Sequence, residues 1–142
     1  MTTELVVARR WIRSVLAADS GPSGVWTVLG GRVRARRAVQ GAPYPQLVLT
    51  VPAATDLLGV GGTRVWTNLL VDCRLISEGN NSEAASALAA RIDQLLHRGS
   101  GAPVGGRVWA CVREFPFEYS EVVEGREYLH VGGRYRLWAT AT

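Results

Sequence analysis

At 142 residues the chain has the length of one ordinary domain, with 47% hydrophobic residues, 20% charged residues and a net charge of +4. Such a chain can bury roughly two thirds of its unfolded surface, and its composition lies far from the charge-rich sequences that stay disordered. Every basic residue other than the two histidines is arginine, which excludes chemistry built on lysine: no P-loop lysine, Schiff base or lysine-held pyridoxal cofactor is available.

The charge is unevenly spread. Residues 1–71 carry eight arginines against three acids, and residues 72–142 carry eight against nine. The basic excess is therefore N-terminal and too modest to define a dedicated nucleic-acid domain by itself. Cys73 and Cys111 lack any C-x-x-C or Cys/His ligand spacing and read as small buried hydrophobes in a reducing compartment. The apolar run near the start is short and is followed by its arginines rather than preceded by them, unlike a signal peptide. No apolar stretch reaches membrane-spanning length, so a soluble protein made in the cytoplasm is expected, with no membrane partner.

In chain order, residues 4–18 place Leu5, Ala8, Ile12, Val15 and Leu16 on one helical face, with Arg9, Arg10 and Arg13 opposite. Asp19, Ser20, Gly21 and Pro22 break that helix, and the short apolar piece VWTVL leads to Gly30 and Gly31. Arg32 to Val39 reads as an extended segment, with Arg32, Arg34 and Arg36 on one side and Arg37 on the other. PQLVLTV gives a second strand, and AATDLLGVGGT a glycine-rich loop. RVWTNLLVDCRLI is the third strand: Val65, Thr67, Leu69, Val71, Cys73 and Leu75 share one face, Asn68, Asp72 and Arg74 the other.

Residues 83–97 carry the strongest helix signal, with Ser82 as cap, Glu83 in the first turn, and Ala85, Leu88, Ile92, Leu95 and Leu96 as the buried stripe. Strands at 107–117 and 126–139 follow, joined by the acidic turn region EYSEVVEG. The last strand places Leu129, Val131, Tyr135, Leu137 and Ala139 on one face and His130, Arg134, Arg136 and Trp138 on the other. The pattern predicts an α+β fold in the order α-β-β-β-α-β-β, with two helices packed on a mainly antiparallel sheet and one domain over residues 1–142. GGR occurs at 30–32, 105–107 and 132–134 at unequal intervals, so it marks turns or bends at strands rather than a repeat.

No catalytic constellation is evident. His97 and His130 have no nucleophile and orienter in a recognisable arrangement. Glu114, Glu118, Glu121, Glu124 and Glu127 recur at a spacing that suits a charged surface better than a paired-carboxylate site or a cation loop. GVGGTR lies between strands and opens no helix, so it lacks the context of a dinucleotide fingerprint. The expectation is a protein that is not an enzyme, with no cofactor and no metal. Of the five tryptophans, Trp66 and Trp138 fall on the less apolar faces of their strands. Beside arginine they have the composition of an interface, while covering the helices and stacking on bases remain open as alternatives.

The first helix, GGRVRARRAVQGAPYPQLVLTV, RVWTNLLVDCRLI, SEAASALAARIDQLLHR and EYLHVGGRYRLWA together resemble the tail-completion or tail terminator proteins of long-tailed phages, over about residues 5–139. The QGAPYPQLV entry to the second strand and the closing R-x-R-L-W carry most of the likeness. One departure is that Arg34 and its neighbours stand where members carry a tyrosine soon after GGRV. The resemblance implies a virion subunit, assembled in the host cytoplasm, that forms a ring, usually of six, at the head-proximal end of the tail. Such a ring ends tube polymerisation, contacts the tail tube protein, the head–tail connector or stopper and the tape measure protein, and lets DNA pass through its lumen. Another neck part, or the equivalent part of a gene-transfer particle, is the near alternative, and a small basic nucleic-acid-binding protein the distant one.

A ring needs one patch that meets a different patch on the next copy. Arg32, Arg34, Arg36 and Arg37 facing Glu118, Glu121 and Glu124 of a neighbour would supply it, with Trp66 and Trp138 as aromatic contacts. The same arginines lining the lumen would instead hold DNA through its phosphates without reading sequence.

Overall fold

A computed structural model of the chain describes residues 3–79 and 82–142. The first helix, α1 (Glu4–Ala17), is capped by Thr3, whose hydroxyl accepts from the Val6 amide at 3.4 Å. Its buried stripe is Val7, Ala8, Trp11, Ile12 and Leu16, so Leu5 and Val15 only flank the core. Asp19, read from sequence as a helix breaker, has a constructive role as well. It accepts the Val25 amide at 2.9 Å and both Arg91 nitrogens at 3.1 and 3.2 Å. Those bonds to Arg91, followed by the Val25 amide, hold the Asp19 carboxyl below its usual pKa.

VWTVL forms a helix of its own, α2 (Val25–Leu29), giving three helices where two were expected. Val25 and Leu29 reach the core from its single apolar side, and Gly30 and Gly31, at φ 57° and 72°, turn the chain into β1 (Val33–Ala35). This strand is far shorter than the expected 32–39. Arg36 has φ 76°, a left-handed conformation that ends the extended run and breaks the alternation expected to align Arg32, Arg34 and Arg36, of which only Arg34 lies within the strand. The chain then crosses to the open side of the sheet, where the Gln46 amide both accepts from the Val39 N–H (2.9 Å) and donates to the Val39 carbonyl (3.0 Å). A side chain thus takes the place of a missing strand partner, which is why the polar Gln46 is buried without leaving its amide unsatisfied.

The second strand, β2 (Gln46–Leu58), runs through most of the expected glycine-rich loop. Pro52 sits where the pairing register slips between Thr50 and Ala53, on a stretch of β2 that β1 does not reach, so its missing N–H breaks no ladder. A tight turn at Val60–Gly62 leads to β3 (Arg64–Glu78). Next comes α3 (Ser82–Leu96), whose first described residue is Ser82; the position before it lies outside the described residues. Ala85, Ile92 and Leu96 are buried, with Leu88 and Leu95 packed at the margin. The closing hairpin, β4 (Gly106–Val123) and β5 (Arg126–Ala141), absorbs nearly all of the expected acidic turn region, leaving only Glu124 and Gly125 at φ 51° and 76°. Two consecutive left-handed residues are what a two-residue hairpin turn demands.

The sheet order is β1-β2-β3-β5-β4, with β1 parallel to β2 and every other pair antiparallel. All three helices contribute to one core on one side of it, against Leu47, Leu69, Val71, Leu75, Tyr135 and Leu137. Tyr135 donates its hydroxyl to Asp93 at 2.9 Å, tying α3 to the middle of the sheet. The glycine pairs at 30–31 and 105–106 lie at turns or strand starts, whereas Gly132 and Gly133 are inside β5.

Cys73 and Cys111 are buried and free, and burial pushes both thiols up, that of Cys111 to about 12. Because only thiolate reacts, neither cysteine should be labelled by a disulfide reagent at pH 8 in the folded protein, and both should react in denaturant. Prompt labelling of the native protein would contradict this packing.

Candidate functional site

The sheet order separates the two charged regions. β1, with its arginines, is one edge and β4, with its glutamates, is the other. The register places Arg34, Val48, Arg74, Gly132 and Phe117 in one row across all five strands. The next row runs from Val33 through Leu47, Leu75 and Val131 to Glu118. The basic and acidic segments thus lie at the same height on opposite edges, four inter-strand steps or about 19 Å apart.

Within those segments the side chains differ. Arg32 is committed inside its own chain, donating to the carbonyls of Pro45 (3.1 Å) and Val28 (3.4 Å). Arg34 is half-buried on the open side, and its Nε has no hydrogen-bond partner. Arg36 and Arg37 are exposed and have no side-chain partner among the described residues. On the other edge, strand alternation splits the glutamates. Glu118, opposite Val131, lies on the helix side and lines a groove of about 320 Å³ between α3 and β4. Glu121, opposite Tyr128, lies on the open side, and Glu124 joins it there at the hairpin tip.

The arginines of β5 are neutralised within the chain. Arg134 holds both carboxylate oxygens of Asp72, at 2.6 and 2.9 Å, and lies 5.4 Å over the Phe115 ring; the bond to Asp72 raises its pKa. Arg136 joins Glu114 to Asn68, the latter at 2.9 Å. Such fork-to-carboxylate pairs stiffen the open face and leave little free charge on it.

At the end of the open face nearer the β2–β3 turn, Trp66 is 37% exposed, and Trp138 is half-buried opposite Asn68. Sequence reading placed both correctly on this side and missed two companions, Leu57 and Trp109. Leu57 pairs with Trp66 from a strand that resembled a loop. Trp109 sits at a register slip in β4 and donates to the Thr140 hydroxyl at 3.1 Å, a position simple alternation does not reveal. Trp11 and Trp26 instead cover the helices, Trp26 with Arg13 5.1 Å over its ring.

The fold recurs in a virion. The chain matches one from a structure described as "Virion of native gene transfer agent (GTA) particle" with a TM-score of 0.64, covering 97% of this chain and 99% of that one at 14% identity. At that identity the likeness is one of fold. No protein-family model matches the chain, and no curated protein matches it.

His97 accepts the Arg113 amide at Nδ1 (3.0 Å) and so fastens the end of α3 to β4. Among the described residues no group of three His, Cys, Asp or Glu is placed to hold a metal, and no helix is long and apolar enough to cross a membrane.

Proposed function

We propose that residues 1–142 form one tail-terminator-like domain, a structural subunit of a phage-like particle that closes into a ring at the head-proximal end of a tail. The fold shared end to end with a gene transfer agent virion chain is the observation that carries the virion assignment. The wording of the sequence over about residues 5–139 supports the terminator within that class. The placement of unlike charge on opposite edges of one sheet supports a ring, since a head-to-tail contact between unlike patches generates a closed cycle when its rotation closes and a filament when it does not.

In this ring Arg36 and Arg37 of one copy meet the acidic β4 edge of the next, and Arg34 lies beside them. The exposed apolar end formed by Leu57, Leu58, Val60, Trp66 and Trp109 offers the contact area for the tail tube protein or the connector. DNA passing through the lumen needs no base-specific contact, only spaced positive charge.

Negative-stain images and the solution mass of the purified protein test the proposal. Closed annuli of six copies are expected. A stable monomer or dimer that also fails to close on tail tubes would overturn the ring and favour the small nucleic-acid-binding protein.

A further inference from the structure

The end of the open face away from the β2–β3 turn holds a cleft of about 850 Å³ between residues 38–44 and the β4–β5 hairpin. Glu78, Glu121 and Glu124 line it, with Tyr44 and Tyr128, whose ring centroids are 5.3 Å apart. His130 forms its floor, 5% exposed and stacked 4.6 Å from the parallel ring of Tyr119. This histidine lacks what a buried polar group normally has. Nδ1 has no partner, and Nε2 comes only within 3.4 Å of Glu121 Oε1, without the geometry of a hydrogen bond. Burial, and then the nearby Arg74 charge, lower its pKa, so the ring is neutral at pH 7 and keeps a free acceptor nitrogen.

The cleft therefore offers acceptors and aromatic rings but little positive charge. Arg126, 3.5 Å from Glu78, is the cation lining it among the described residues, and Arg74, near enough to act on His130, donates to the Tyr119 hydroxyl at 3.2 Å. The complementary ligand is a flat cation with several N–H donors, a guanidinium, which can lie on a tyrosine ring while donating in its plane to a carboxylate and an imidazole. A lysine ammonium would supply the charge without the flat fork. The same chain exposes two partnerless arginines, Arg36 and Arg37, directly before the 38–44 wall; neither lines the cleft of its own chain, and a neighbouring copy can present them to it.

We propose that this cleft is an arginine-binding site that receives the Arg36–Arg37 corner of a neighbouring copy, the guanidinium stacking on the Tyr44–Tyr128 pair and donating to Glu121 and His130. The choice of occupant rests on the ring proposed above, whereas the chemistry of the cleft does not.

The test uses the full chain carrying Arg36→Glu and Arg37→Glu, so that its own corner cannot compete, and a labelled peptide of residues 32–40, RVRARRAVQ. Saturable binding that shifts the His130 and Tyr128 ring resonances is expected. Glu121→Gln with Glu124→Gln should weaken it by about tenfold or more, as should lysine at both peptide positions 36 and 37. Both glutamates are exposed, so circular dichroism should show the variant folded. Absence of binding, or binding indifferent to the glutamate substitutions or to lysine, overturns the site. Rings in the unmodified protein without peptide binding retire the cleft and leave the ring standing. Peptide binding with no rings retires the neighbouring copy as occupant.

Discussion

Gly132→Ala should unfold the chain at physiological temperature or bring it close to doing so. An added Cβ would sit 1.9 Å from the carbonyl oxygen of Cys73 and 3.0 Å from its carbonyl carbon, distances no van der Waals contact permits. The obstacle is backbone, and it belongs to β3, against which β5 is paired from Thr67–Ala139 to Glu78–Tyr128. Since β4 is paired along the other side of β5, the strand cannot shift away from β3 without disturbing a second ladder. A loss of about 4 kcal/mol or more is expected, as for other large steric lesions in a sheet interior. At roughly 4 °C per kcal/mol for a chain of this size, the midpoint of thermal unfolding should fall by about 15 °C.

Gly133→Ala is the internal control. Its Cβ would meet the Arg113 side chain at 3.0 and 3.3 Å and a Tyr135 ring carbon at 3.3 Å, and a flexible arginine stem can move aside. Its cost should be about 1 kcal/mol, within the ordinary range for single substitutions. Equal melting points for the two variants would show that the strands yield at this crossing and that the close approach is not a constraint.

That contrast also shows what the amino-acid sequence made legible. The two glycines look alike in sequence, and a GGR motif reads as a turn or bend; only the separation of two strands distant in sequence tells Gly132 from Gly133. The elements read well from sequence have one face against the core. The alternation from Thr67 to Leu75 and from Leu129 to Ala139, and the spacing of Ala85, Ile92 and Leu96, follow directly from that burial. Elements misread had signals whose meaning depends on neighbours. The glycines after Leu58 suggested a loop from Ala53 onward, yet they form only the tip, and β2 runs on to Leu58. Arg36 carries no local mark of its left-handed conformation, being an ordinary residue at the point where the chain must leave the sheet.

The assembly residues show the same division. Charge segregation between the halves of the chain is plain in the sequence, and it proposes two patches. The edge positions of those patches come from the strand order, which is non-local, and the spacing of the glutamates was read as one surface although strand geometry puts Glu118 and Glu121 on opposite sides. The cleft over His130 was beyond reach, because it is built from a loop folded across the sheet by the Gln46–Val39 bonds and a hairpin that comes far later in the chain.

Reversing Arg36 and Arg37 to glutamate should abolish closed rings, and adding Glu121→Arg with Glu124→Arg to the same chain should restore them in part, because the swap recovers the charge attraction but not the guanidinium's stacking on tyrosine or its donation to His130. Exposed ion pairs contribute only about 0–1 kcal/mol each, but pairs desolvated at an interface have been measured at about 1.5 kcal/mol and above. Reversal also replaces attraction with repulsion between like charges. A combined change of about 3–4 kcal/mol at each subunit junction corresponds to a shift of several hundredfold in its dissociation constant. A closed ring repeats the junction at every subunit, so rings should vanish at concentrations where the unmodified protein assembles fully. The doubly reversed chain inverts both signs at the same positions, so partial recovery would isolate charge complementarity from any loss of fold, and the shortfall would measure what the guanidinium itself contributes. Rings that persist in the singly reversed protein would sink the charge pairing and return the arginines to the lumen. There the signature is different: Arg36→Gln with Arg37→Gln would leave the ring intact, while the slope of log affinity for plain duplex against log salt would become shallower by about 2, one unit for each phosphate that an arginine no longer neutralises.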